Sequence, residues 1–185
     1  ELLLRLQTDV LEAVARGETL TDVALILCRR VENCAPEAIC SILLVDEDGV
    51  LHPLAAPSLP PECAAATEGL QIGPRAGSCG TAVWRNEEVI VTDIANDVVW
   101  ADFKGLFLPH GLKACWSSPI RNRNGRVVAT FAFYYRTPRG PSAIEQQIVS
   151  TSVHLCSLAI EHDAVRARNY RLAYYDALTG LPNRG

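Results

Sequence analysis

The residues best suited to chemistry carry sulfur. Cys79 stands in Gly77-Ser78-Cys79-Gly80, inside a glycine-rich stretch (Gly69, Gly73, Gly77, Gly80) that leads into a short predicted helix near 78–85. Backbone N–H groups at such a helix start suit an anion or a polar ligand. A thiol there becomes more acidic and more nucleophilic. Cys115 is the available resolving partner for it. The plainer use of the same residues is a tight turn that docks a helix on a sheet, with Cys79 as a small buried filler.

Aromatic residues surround these groups in the sequence. Trp100, Phe103 and His110 fall in a long connection, 94–111, and Trp116 follows it. Together with Cys79, Thr81 and Cys115 they form the candidate ligand pocket, since pockets are mostly apolar with a few polar groups. The aromatics can equally fill that volume themselves. His110 has the chemistry of an axial haem ligand, although His beside Gly111 at a helix end also suits a C-terminal cap. Asp93, Asp97 and Asp102 cluster near the end of a predicted strand, as cation-binding carboxylates or as turn and helix caps.

The composition narrows the classes. A length of 185 residues suits one domain with flanking helices. The 49% apolar content supports a core, and 21% charged residues argue against disorder. A net charge of -4 without a basic stripe speaks against nucleic acid and anionic membrane as partners. Seven cysteines, an odd number at irregular spacing with no CxxC pair, fit a reduced cytoplasmic setting better than a disulfide framework or a structural zinc site. The absence of Met leads to the expectation of an internal piece of a longer chain. No apolar run reaches membrane-spanning length.

The elements that must position these groups alternate in type. Leu3, Leu6, Val10 and Ala13 predict a helix over 1–16 with the spacing of a coiled-coil seam. Thr19 caps a second helix over 20–34. Ala38–Val45 and 50–56 form a hairpin across Asp46-Glu47-Asp48-Gly49. Pro61–Thr67 is a short helix, and Val89–Asp93, Lys113–Arg121 and Arg126–Tyr135 are strands, the last two joined at Asn124-Gly125. Both faces of the last strand are apolar, so the sheet is covered on both sides. Ser142 and Glu145 open a final helix of about 30 residues. Ile144, Thr151, Leu158, Val165 and Leu172 recur every seven along it, beside Ile148, Leu155, His162 and Asn169. The fold class is α+β, an antiparallel sheet of five to six strands with helices on both faces and long terminal helices.

Two segments resemble known families. Asp176-Ala177-Leu178-Thr179-Gly180-Leu181-Pro182-Asn183-Arg184 resembles the D-x-LTGLPNR opening of GGDEF domains. The middle of the chain is similar to GAF domains: GSCGTA, VIVTDI, ACWSSPI and GRVVATFAFYY follow in that order. The likeness is strongest, over Ile72–Tyr135, to the GAF modules that precede GGDEF and EAL domains. It departs from cyclic-nucleotide-binding members, lacking their NKFDE signature, and from bilin-binding ones, since Cys115 precedes Trp116 rather than His.

The resemblance implies a dimeric regulatory domain that senses a small molecule, gas or redox event and acts in cis on a cyclic-di-GMP cyclase or phosphodiesterase. No cofactor is specified, and an unknown small-molecule ligand is expected. The implied organisation is an N-terminal signalling and dimer helix at 1–17, a sensor domain at 18–160, a linker helix at 161–175 and the start of a GGDEF domain at 176–185. Leu3, Leu6, Val10, Ile144, Ile148, Leu155, Leu158 and Val165 are the expected dimer and signalling positions. The GGDEF active-site loop is not among these residues, so no catalysis is expected of this chain. Two alternatives stand beside this reading. One is a degenerate GAF domain that only dimerises. The other is a thiol enzyme akin to free methionine sulfoxide reductases, which share the G-x-CGTA segment, although their GHIACD segment is missing: residues 95–100 read Ala-Asn-Asp-Val-Val-Trp.

Overall fold

The structure, a computed structural model, describes residues 1–183; Arg184 of the GGDEF-like segment lies outside them. Helices α1 (Leu2–Ala15) and α2 (Leu20–Cys34) come first, the second capped by the Thr19 side chain, which accepts from the Asp22 N–H. Strands β1 (Ala38–Val45) and β2 (Val50–Ala55) form the expected hairpin. Helix α3 (Pro61–Ala66), strand β3 (Leu70–Gln71), helix α4 (Gly77–Arg85) and strand β4 (Val89–Val91) follow. The short α5 (Lys104–Phe107) lies in the long connection, before β5 (Ala114–Arg121), β6 (Val127–Tyr135) and α6 (Ala143–Tyr174).

The sheet has six antiparallel strands in the order β3-β2-β1-β6-β5-β4. The two-residue β3 is invisible to periodicity because it is too short to alternate. Strand alternation sorts side chains into two layers. Cys40, Ile42, Ala114, Trp116, Phe131, Phe133 and Tyr135 pack under α1, α2 and α6. Ile39, Leu43, Cys115, Ala132 and Tyr134 pack under α4 and the long connection. Burying each large residue on β6 stabilises the fold by about 1.5–3 kcal/mol.

The terminal helices correct one sequence expectation. Leu6, Val10, Ile148 and Leu155 are buried in the chain's own core, so they do not form a seam with a second chain; Leu3 is partly buried against the same core. The seven-residue repeat in α1 served an intramolecular neighbour, and periodicity does not tell the two apart. Ile144, Leu158 and Val165 do lie exposed on α6, with Leu4 and Leu11 exposed on α1.

Helix α6 is fastened to the sheet at its start. Ser142 accepts from the Glu145 N–H, the capping box expected. The buried Glu145 carboxylate also accepts from the Tyr135 hydroxyl and from the Arg139 guanidinium. That guanidinium lies 4.4 Å from the Tyr135 ring centroid and reaches Glu37 ahead of β1. Burial, then the Glu145 hydrogen bond, drives the Tyr135 hydroxyl far above its usual range.

His52 of β2 sits between two carboxylates, Asp46 at 2.8 Å and Glu68 at 2.6 Å. The hydrogen bond to Asp46, then that to Glu68, raises the His52 pKa above 6.5, while the His52 contact lowers Asp46 below 3.8. The His52 contribution is complete below 6.5, the unfolded value, and is lost as pH rises through the higher folded value. The Asp46 contribution is present above 3.8 and is lost as pH falls through its lower folded value. His52→Gln is therefore expected to flatten the loss of stability above pH 6.5, as read by urea melts across pH. An unchanged slope would show that the pairing does not act on folding.

Candidate functional site

The GSCGTA stretch is a buried hinge between loop and helix. Gly77 has φ of 63°, and Trp100 ring atoms lie 3.7 Å from where a Cβ would stand. At Gly80 a Cβ would come within 2.6 Å of Ala76 Cβ, so any side chain there forces α4 away from its own loop. Residues 77–82 are all buried. The α4 N-terminus is thus closed to an anion, against the first expectation. Thr81 Oγ1 accepts from the Ala76 N–H at 3.1 Å and so serves its own loop.

Trp100 is the keystone of the pocket region. Its Nε1 donates to Ser78 Oγ at 2.9 Å, and Ser78 in turn donates to the Cys115 carbonyl at 3.1 Å. The Trp100 ring meets Phe107 edge-on at 4.8 Å, and Phe107 stacks on Tyr134 at 5.8 Å. What remains open among Cys79, Trp100, Phe103, Phe107 and Tyr134 is a cavity of about 20 Å³, room for a single water-sized molecule. Trp100, Phe107 and Tyr134 themselves fill most of this region.

Two residues assigned to that pocket, Trp116 and His110, are placed differently. Trp116 lies in the opposite layer, meeting Phe133 edge-on and donating from Nε1 to Glu88 at 3.0 Å. Cys115 faces the cavity layer, so its neighbour on a strand cannot. His110 closes the helical turn before Gly111, whose φ is 77°; its ring lies 4.0 Å from surface Glu62 and its carbonyl accepts from Arg136. It reaches no haem position in the cavity. The acidic cluster also has local work: Asp93 accepts from the Ala95 N–H and the Asn96 side chain, and Asp97 from the Val99 N–H.

Cys79 of α4 and Cys115 of β5 are buried in the same layer. The neighbouring Cys115 thiol, acting against burial, lowers the Cys79 pKa to about 7. Burial pushes the Cys115 thiol well up. Sequence reasoning missed Ser117 and Thr130. Both hydroxyls are fully buried and neither has a hydrogen-bond partner. Their signal was readable: each is a small hydroxyl at an inward position of an otherwise apolar strand. Also unforeseen is an open groove of about 400 Å³ between β5 and α6, lined by Glu88, Trp116, Ser118, Arg121, Gln146 and Val149.

Comparisons with known proteins agree with this architecture. The family described as GAF domain matches residues 17–161. The chain is 35% identical over 163 residues to the methyl sulfide methyltransferase-associated sensor of Methanosarcina acetivorans. That alignment covers 88% of this chain but only 16% of the relative's length. The GAF domain from Acinetobacter phosphoenolpyruvate-protein phosphotransferase superposes with a TM-score of 0.68 at 19% identity, covering 91% of this chain and 98% of that one. Free methionine-R-sulfoxide reductase from Neisseria meningitidis, solved with its substrate, superposes with a TM-score of 0.70 at 14% identity and covers 90% of each chain. At such identities the two structures speak for the fold alone.

The cavity filling gives a direct test. Trp100→Ala is expected to lower stability by about 3–5 kcal/mol, with free indole restoring part of the melting temperature by occupying the space. A melting curve indifferent to indole would show that the connection collapses into the gap instead.

Proposed function

The chain belongs to the GAF domain family, and we propose that it is a regulatory sensor module whose C-terminal helix sets the activity of an attached GGDEF output domain. The observation that carries this reading is the course of α6. Its first half is core, with Ile148, Leu155 and Cys156 buried and the Glu145 network tying it to β1 and β6. Its second half leaves the domain, with Val165, Leu172 and Tyr174 exposed. At 32 residues it is about 48 Å long, longer than the sheet it packs on.

The GGDEF-like segment continues this helix as an ordered turn. Asp176 Oδ1 accepts from the N–H groups of Leu178 and Thr179 and from the Thr179 hydroxyl. Gly180 takes φ of 67° to close the turn, and the Asn183 N–H returns to the Tyr174 carbonyl at 2.7 Å. The motif's residues therefore terminate the helix and fix the direction in which the chain leaves it. A sensor that shifts the sheet would move the start of α6, and the far end would carry that change to the output.

A homodimer, cytoplasmic and without nucleic-acid partners, completes the proposal. The stripe of exposed Ile144, Leu158, Val165 and Leu172, with half-buried Thr151 among them, supports pairing of α6 with its copy, alongside Leu4 and Leu11 of α1. Among the described residues no helix is long and apolar enough to cross a membrane. The filled cavity favours a second reading, a GAF domain that only dimerises, and leaves no room for methionine sulfoxide beside Cys79.

Two measurements follow. Leu158→Lys with Val165→Lys is expected to yield monomers by sedimentation, at unchanged core stability, because both side chains are exposed. Insertion of four residues near Arg168, in the chain joined to its native output domain, rotates the exit of α6 by about 40° and is expected to change the rate of cyclic-di-GMP turnover severalfold. Output indifferent to that insertion would remove the helical lever and leave the dimerising role.

A further inference from the structure

The sheet face beneath α6 is open at one side. The edge strand β4 lies beyond β5, and its Ile90, opposite Trp116 in the register and so on the same face, is exposed. Between β5 and α6 runs the groove of about 400 Å³, a volume of ligand size. Its floor is buried and largely apolar: Trp116 and Val149 are each 4% exposed. Ser118, two residues after Trp116 and on the same face, also lines it. Ser118 is only 8% exposed, and its hydroxyl makes no hydrogen bond among the described residues. A buried hydroxyl turned into the groove is both a donor and an acceptor there.

Two opposite charges stand on the rim. Glu88 is held by one carboxylate oxygen, Oε2, which accepts from the Trp116 indole N–H at 3.0 Å. Arg121 donates from Nε to Asn86 Oδ1 at 2.8 Å and from Nη2 to the Asn86 carbonyl at 2.7 Å. Both partners are neutral, and neither charge forms an ion pair among the described residues. Glu88 Oε1 and Arg121 Nη1 have no partner among those residues. Neutral groups thus pin a carboxylate and a guanidinium on one groove without letting them neutralise each other. Such a rim is complementary to a molecule that carries both signs.

We propose that this groove binds a free α-amino acid with an apolar side chain. Its ammonium donates to the open oxygen of Glu88 and to Ser118 Oγ, its carboxylate accepts from Arg121, and its side chain lies over Trp116 and Val149. The opposite layer offers no such room, since the cavity beside Trp100 measures about 20 Å³. The groove also stays open when α6 pairs with a copy. Gln146, which lines it, stands two residues after Ile144 of the exposed stripe, about 200° round the helix. A ligand here bridges the sheet edge to α6, whose Ser157 hydroxyl donates to the Arg121 carbonyl at 2.8 Å. Any effect on output rests on the sensor role proposed above; binding is measured on the chain alone, so the two readings fail separately.

The test titrates the chain with free leucine, methionine and phenylalanine and follows the indole N–H signals of its three tryptophans by NMR. Trp84→Phe and Trp116→Phe assign those signals. At least one of the three amino acids is expected to shift the Trp116 signal, because Glu88, its partner, gains a second one. The Trp100 signal, bonded to Ser78 in the opposite layer, is expected to stay in place. The N-acetyl derivative lacks the cation and the amide lacks the anion, and each is expected to bind at least about tenfold more weakly. Glu88→Gln keeps an acceptor for the indole and is expected to weaken binding by a similar factor. No shift with any of the three at millimolar concentration would overturn the proposal. So would a shift of Trp100 in place of Trp116, or an affinity unchanged by Glu88→Gln in the folded chain.

Discussion

Strand β6 is buried on both faces, and most of the molecule is arranged around that constraint. Residues 129–135 are all buried, between β1 on one side and β5 on the other. A strand covered twice needs two helical layers, and the chain supplies them from different stretches: α1, α2 and α6 for one face, α4 and the 94–111 connection for the other. Each layer then takes on a separate task. One carries the long helix out of the domain, and the other holds the closed cavity and the thiol pair.

Because the strand between the layers is stiff and alternates strictly, adjacent residues do unrelated work. Cys115 faces the layer under α4 while Trp116, one residue on, packs against Phe133 and holds Glu88. Tyr134 faces Trp100 and Phe107, and Tyr135 holds Glu145 at the start of α6. The two tyrosines are consecutive, so a displacement of β6 along its axis reaches both layers at once. That adjacency joins the cavity to the start of the helix. It passes through packed side chains and one buried, charge-assisted network rather than through a loop.

The two layers also differ in polarity. The layer under α1, α2 and α6 is apolar at its centre, and its buried thiols there are fillers. The layer under α4 keeps Ser78, Thr81, Ser117 and Thr130 buried alongside Cys79. Ser78 and Thr81 are satisfied by backbone and indole partners, while Ser117 and Thr130 are not. An apolar residue of similar size at either strand position would pack as well without the desolvation penalty.

The sequence by itself determined the order of the elements apart from the two-residue β3, the two hairpins, the Thr19 and Ser142 caps and the double coverage of β6, and it left a pocket and a filled core near Trp100 as equal readings. These follow from turn chemistry, capping spacing and the volume of aromatic rings, all properties of residues within a few positions of one another. It did not separate Trp116 from the pocket, because naming a strand does not say which of its faces meets which layer. It did not distinguish the inward seam of α1, at Leu6 and Val10, from the outward one of α6, because a seven-residue repeat records that something is packed and not what packs it. The burial of Ser117, Thr130, Cys79 and Cys115 belongs to tertiary structure alone. Those residues come from α4, β5 and β6, and only the register of the sheet, with α4 laid across it, encloses them together.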